Sequence, residues 1–261
     1  MILILGSYED IASENIFRHL LTMADFRKIS ENLYIYYNFY LRMISEPLIY
    51  AENIDERIAK NDGIDFEEII FISRHKSESG RVSLTVHPVG NFGDAKYGGK
   101  PGMLSPTNPA TMLMLLRNLY SKFPDITSYE VTHHGPLLNK DACFVEIGSD
   151  ENAWRKDEYA EVIAESVLNI REMRGIEVYV GIGGGHYAPR FTEISVKEDI
   201  AFGHMVSKYY VSILTEDLLK QAIEKTRNCD GICIHKKSVK SEDRKRIINM
   251  AEKLGAKVVL R

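Results

Sequence analysis

A layered α/β fold, with a largely parallel sheet and helices on both faces, is what three features of the sequence predict. Short β-branched and aromatic runs alternate with amphipathic stretches of helical period along the whole chain. Six of the eight histidines (His75, His87, His133, His134, His186 and His235) stand at or just beyond the carboxyl ends of such runs. No linker, repeat or low-complexity tract divides the 261 residues, so 1–261 reads as one domain that can bury a sizeable core.

The first run, Met1 to Leu5, is too short for a signal-peptide core or a membrane span. It reads as a strand ending at Gly6-Ser7. A helix follows at 10–23, with Ile11, Ile16, Phe17, Leu20 and Leu21 near a 3.6 period and His19 inside it as a structural residue. Residues 33–39 are aromatic and strand-like, and short extended pieces are expected at 41–44 and 48–50. Strands at 68–73 and 82–86 run into Arg74-His75 and His87-Pro88. Residues 91–107 form a long loop with glycines at 93, 98, 99 and 102. A loop of that length is usually functional or disordered. Asn108 and Pro109 open a helix as N-cap and first-turn proline. A strand at 129–132 stops at His133-His134-Gly135-Pro136, and one at 142–147 stops at Gly148. One long helix is expected at 151–173. A strand at 176–181 then runs into Gly183-Gly184-Gly185-His186. Residues around 202–204 lead into a segment of no clear period. A helix at 216–227, a strand at 231–234, a basic helix at 240–254 and a strand at 257–260 complete the reading.

Hydrophobic content of 44%, charged content of 27% and a net charge of −4 suit a water-soluble protein expected in the cytoplasm, without a membrane partner and as a monomer. Cys229 and Cys233 lack a second pair for an all-cysteine zinc site, and Cys143 stands alone. The familiar glycine motifs fit badly. The dinucleotide fingerprint has His186 at its sixth position, and Pro189 is expected to break the helix that should follow. Residues 93–101 resemble a phosphate loop with its lysine one place late and Pro101 where Ser or Thr belongs.

In an open α/β sheet the carboxyl ends of parallel strands share one edge, and ligands bind there. Sequence-distant histidines can therefore be neighbours, with Glu146, Asp150 and Glu193 as ligands, supporting groups or proton acceptors. Imidazole titrates near neutrality and binds zinc. Adjacent residues on a strand point to opposite faces, so His133 and His134 converge only if the strand has ended, as Gly135-Pro136 suggests. His186 is then expected within about a nanometre of them.

The chain also carries Arg74-His75-Lys76-Ser77 with Gly80, Thr85-Val86-His87 with Gly90-Asn91, and Thr132-His133-His134-Gly135-Pro136. Glu146-Ile147-Gly148-Ser149 with Trp154, Gly183 through Thr192, and Gly203-His204 continue the series. In this order the motifs resemble the archaeal and plant type of D-aminoacyl-tRNA deacylase, over most of the chain. The resemblance implies hydrolysis of the ester joining a D-amino acid to tRNA, which recycles the tRNA. It implies zinc dependence and a fold akin to the phosphorylase/peptidyl-tRNA hydrolase group.

On that reading, zinc is expected on some of His133, His134 and His186 with a carboxylate, activating water. The catalytic candidates are His186, His134, Glu193 and Glu146. N–H groups of Gly183, Gly184 and Gly185 are candidates for stabilising the oxyanion. Arg190, Lys96 and Lys100 are candidates for tRNA phosphates, and His75, His87 and Asn91 for the substrate side of the site. A histidine acting directly as general base is the metal-free alternative. From His235 to Arg261, nine Lys/Arg against three acids offer a phosphate track. The rival readings are a zinc hydrolase of small amides or esters, a nucleoside-processing enzyme of related fold, and an RNA-binding module without catalysis.

Overall fold

The computed structural model describes residues 1–78 and 80–261. β1 (Ile2–Ser7) runs parallel to both β4 (Phe39–Ile44) and β5 (Glu68–Lys76). They sit inside an eight-stranded sheet of order β2 (Arg27–Ser30), β3 (Leu33–Tyr36), β4, β1, β5, β8 (Asp141–Ser149), β6 (Ser83–Pro88), β7 (Thr127–Tyr129). A second, wholly parallel sheet has the order β10 (Ile200–Val206), β9 (Glu177–Ile182), β11 (Gly231–Ile234), β12 (Lys257–Leu260). Among the described strands antiparallel pairs are confined to β2–β3, β3–β4 and β6–β8, so the sheets are largely parallel as expected.

Strand alternation divides the core. Ile4, Ile70 and Ile72 face a cluster with α1 (Ile11–Met23), α3 (Pro109–Lys122) and α5 (Asp157–Leu168). Leu3, Leu5, Ile69, Phe71 and Phe144 face the other way, onto Ile54 and Ile58 of α2 (Ile54–Asp62). Helices therefore cover both faces. In the second sheet Val180, Ile182, Ile232 and Ile234 pack on α7 (Glu216–Glu224) and α8 (Ser241–Lys253). Tyr179, Met205 and Cys233 turn instead into the cluster that holds α3 and α6 (Pro189–Lys197). α3 contacts both β6 and β10, so one helix is shared between the sheets.

Local chemistry sets the boundaries. Asp10 caps α1, accepting from Ala12 N and Ser13 N at 2.9 and 3.1 Å. The expected strand at 33–39 is two strands, because Tyr37 takes a left-handed turn at φ 46°. Residues 48–50 form a short 3₁₀ helix rather than an extended piece. The expected helix at 151–173 is α4 (Glu151–Trp154) and α5, separated where Lys156 is extended and Asn15 Nδ2 donates to Trp154 O at 3.0 Å. Pro189 does not break a helix but starts α6, since a first-turn proline loses no intrahelical hydrogen bond. The segment without clear period begins with β10. No helix among the described residues is long and apolar enough to cross a membrane.

Candidate active site

The site begins as a matter of register. Phe71, Ser73 and His75 share one face of β5 by the two-residue period, and Phe144, Glu146 and Gly148 share the same face of β8. Pairing sets Ser73 and Thr85 on either side of Glu146, and His75 and Ser83 on either side of Gly148. A Cβ on Gly148 would collide with Ser83 Oγ and lie 3.1 Å from His75 Cδ2, so the glycine makes room for both side chains. β6 runs antiparallel to β8, so His87 arrives from the opposite direction, opposite Phe144 and stacked on it at 5.2 Å.

Residues 130–134 bring in the second sheet. Past β7 the chain crosses over: Val131 N donates to His186 O at 3.0 Å, and Thr132 N donates to Met205 O at 2.9 Å. His133 bridges back to Val89. His134 adopts φ 45°, a left-handed conformation that histidine tolerates better than most residues. That turn lets neighbouring imidazoles converge. Ring centroids lie 4.4 Å apart for His133–His134, 4.1 Å for His87–His133 and 4.6 Å for His133–His186. Buried His204 braces the crossing: its ring meets Thr132 Oγ1 at 3.1 Å and Ser105 O at 3.0 Å.

The ligand-capable atoms form overlapping groups, with His87, Glu130 and Glu146 linking the two described next. His87, His133 and His134 place their Nδ1 atoms 3.1, 2.8 and 2.8 Å from backbone carbonyls of Pro88, Val131 and Gly135. A carbonyl only accepts, so each Nδ1 carries a proton and, in the neutral ring, each Nε2 offers a lone pair. His75, Glu130 and His186 form a second group, and donor atoms within each group lie within 4.8 Å of one another. Glu130 is wholly buried, with Oε2 3.0 Å from His186 Nε2 and 3.4 Å from His133 Nε2. Neither of its oxygens has a hydrogen bond of acceptable geometry among the described residues, and nor does His87 Nε2. Glu146 Oε2 lies 3.6 Å from both His75 Nδ1 and His87 Nε2, while its Oε1 accepts from Ser73 Oγ at 2.5 Å. The group opens into a cavity of about 610 Å³ at the ends of β1, β5 and β8, walled on one side by Pro47, Leu48, Ile49 and Tyr97.

Charge follows from these contacts. Burial opposes ionisation of Glu146, but His75 and His87 outweigh it and hold the carboxyl far below its ordinary value. Burial likewise opposes Glu130, and His186, His75 and His87 pull it down. Burial disfavours the cations of His75 and His87 too, yet Glu146 and Glu130 raise both above ordinary imidazole. His133 is driven well below by burial and by its imidazole neighbours, and His134 falls to about 4 for the same reasons.

The predicted residues therefore separate. His75, His87, His133, His134, His186 and Glu146 meet in one cluster. Glu193 lies on α6, exposed and paired with Arg190 at 2.8 Å and Lys197 at 2.9 Å, contacts that depress its carboxyl. Gly183 N donates to Val206 O and Gly184 N to Ser238 Oγ, so those N–H groups are committed within the fold. Arg190, Gly184 and Gly185 line a second cavity with His235. Asn91 Nδ2 donates to Gly98 O at 3.0 Å, bracing the 91–107 loop on which Lys96 and Lys100 are exposed. Sequence reasoning missed Glu130, Ser73 and Tyr187, whose hydroxyl meets His75 Nε2 at 3.3 Å. Glu130 had a signal: a lone acid between Tyr129 and Val131 in an apolar run, three places before His133.

A family profile for D-aminoacyl-tRNA deacylase matches residues 62–259. A protein of that name from Archaeoglobus fulgidus is 44% identical, over 99% of this chain and 96% of its own length. One from Picrophilus torridus is 33% identical over 99% of both chains. A crystal structure of a conserved protein of unknown function is similar at a TM-score of 0.92 and 43% identity, covering 100% of this chain and 95% of that one.

Proposed function

The chain belongs to the D-aminoacyl-tRNA deacylase family, and we propose that its histidine–carboxylate cavity is where the ester joining a D-amino acid to tRNA is hydrolysed. The observation that carries the assignment is the convergence of His75, His87, His133, His134 and His186 on buried Glu130 and Glu146, with His75, His133, His134, His186 and Glu146 lining one cavity. Both sheets contribute, which supports reading 1–261 as one catalytic unit.

Zinc fits these residues. His87, His133 and His134 present Nε2 lone pairs fixed by backbone contacts at Nδ1, the usual support of a ligating imidazole. Glu130, whose oxygens lie within ion-pair distance of His75, His133 and His186, forms a second set with His75 and His186. The two sets would hold one ion each. Zinc, when bound, supplies Lewis-acid stabilisation of developing oxyanion charge and acidifies water.

The proton traffic falls to Glu146. Its Oε2 stands between one member of each set, and Ser73 fixes its other oxygen. With His75 and His87 neutral, as ligation requires, the charges that depress Glu146 are absent; Oε2 then takes the proton of the water that attacks the ester carbonyl and returns it to the departing ribose oxygen as the C–O bond breaks. The apolar wall of Leu48, Ile49 and Tyr97 receives the amino-acid side chain and limits water around it.

The test is release of free D-amino acid from D-aminoacyl-tRNA with and without a chelator. Loss of turnover on chelation and recovery with added zinc are expected. Undiminished turnover by metal-free protein would remove zinc from the account.

A further inference from the structure

The glycine stretch has two sides, and only His186 turns to the histidine cluster. The other side borders a separate cavity of about 270 Å³, lined by Gly184, Gly185, Arg190, Lys208, His235 and Ser238 among others. Its lining carries three basic side chains and, among the described residues, no carboxylate. Gly183, at φ 109°, lets the 235–239 turn close over this side: a Cβ there would lie 3.0 Å from Val239 Cγ2 and 3.3 Å from His235 Cβ. His235 Nδ1 is shielded from solvent and has no hydrogen-bond partner among the described residues. Burial and the nearby Arg190 and Lys237 cations hold His235 below ordinary imidazole, as a locally positive environment would. α6 starts at the cavity without a side-chain cap. Its first-turn N–H groups at Arg190 and Phe191, both in the lining, have no intrahelical acceptor. Glu193 occupies one guanidinium nitrogen of Arg190 and leaves its other donors.

We propose that this second cavity binds a backbone phosphate of the single-stranded acceptor end of tRNA, with Arg190, Lys208 and the α6 N-terminus as its donors. The inference rests on the deacylase reading above and extends it to a residue set outside the histidine cluster. Position supports it. Tyr187 lines the second cavity, and its hydroxyl meets Nε2 of His75, which lines the first, at 3.3 Å, so one residue links the two. Lys236 and Lys237, both exposed, continue the positive surface from His235 outward. A phosphodiester oxygen would accept from several of these donors at once: the Arg190 nitrogens that Glu193 leaves, Lys208 and the α6 N–H groups.

The experiment compares D-aminoacyl-tRNA with a phosphate-free D-aminoacyl-adenosine ester, using wild-type protein and the exposed-site variant Lys208→Gln, followed by Arg190→Gln. Each substitution should raise KM for D-aminoacyl-tRNA by about tenfold, as loss of a charge-assisted hydrogen bond does. Each should also shallow the dependence of log KM on log salt by about 0.7. Turnover of the adenosine ester should stay within about twofold of wild type. An unchanged KM and salt slope on tRNA, or equal losses on both substrates, overturns the subsite while leaving the deacylase reading intact. Wild-type protein that leaves both esters uncut overturns the deacylase reading, and this subsite with it.

Discussion

Replacing Glu146 by Gln keeps the shape of a side chain that is 3% exposed and removes its charge and its capacity to take a proton. Loss of a positioned proton acceptor costs 10²- to 10⁴-fold in rate, and about 10³-fold, or roughly 4 kcal/mol of barrier, is expected here. The same charge holds the cluster together electrostatically. Its oxygen is 3.6 Å from two imidazole nitrogens, and unit charges about 4 Å apart interact by roughly 4 kcal/mol at an effective dielectric near 20, before desolvation is subtracted. The pH dependence of stability has a definite sign. Glu146 is depressed in the fold, so its contribution is present above the unfolded value near 4.5 and lost as pH falls through the folded value. His75 and His87 are raised, so theirs is complete below about 6.5 and lost as pH rises through their folded values. Metal-free Glu146→Gln should therefore lose most stability relative to wild type between about pH 4.5 and 6.5, and less at pH 8. Single-turnover release from D-aminoacyl-tRNA and thermal unfolding at pH 5.5 and 8 measure the two effects. His19→Ala is the control, since His19 lies on α1 against Asp157 at 3.2 Å, and it should leave turnover intact. A folded Glu146→Gln protein with more than about a third of wild-type kcat, or a stability deficit that grows from pH 5.5 to 8, would refute the reasoning.

Zinc analysis of purified protein should give two ions per chain, and His186→Ala should lose one of them while staying folded, because only one donor group contains His186. Gly148→Ala should lower kcat by at least about tenfold with a smaller effect on KM, since the new methyl group collides with Ser83 Oγ and crowds the His75 ring; unchanged kinetics would mean that the placing of these two side chains is not critical. Neutralising Lys236, Lys237, Lys240 and Lys245, all exposed, should shallow the salt dependence of tRNA binding by roughly 0.7 to 0.9 per lost contact. Neutralising Lys253, Lys257 and Arg261, which pair with Glu216, Glu177 and Glu198, should leave that slope unchanged.

Strands and helices that carry their own apolar period were legible from sequence, including β1, α1, β8, α3 and the closing β11–α8–β12 unit. What escaped was set by neighbours rather than by pattern. β2 is exposed throughout and has no buried period to announce it. Arg155 and Lys156 are ordinary helical residues, yet Asn15 holds the chain open between α4 and α5. The histidines were legible as a group because each ends or follows a strand. The rule of a shared carboxyl edge accounts for His75 on β5, but not for His87, because β6 is antiparallel to β8 and meets it midway. Glu130 was invisible to that rule because it lies in the crossing segment between the sheets, whose course depends on hydrogen bonds to His186 O and Met205 O from the other sheet. Glu193 stood out by closeness to His186 in sequence, but the α6 helix started by Pro189 carries it to an exposed ion-pair network.

The most direct test of the central claim is the hydrolysis rate of matched D- and L-aminoacyl-tRNA carrying the same amino acid, measured with zinc-loaded protein. Release of the D-amino acid at a rate well above that of the L-form, abolished by Glu146→Gln, is the predicted result. Equal turnover of the two esters, or no turnover of either, would contradict it.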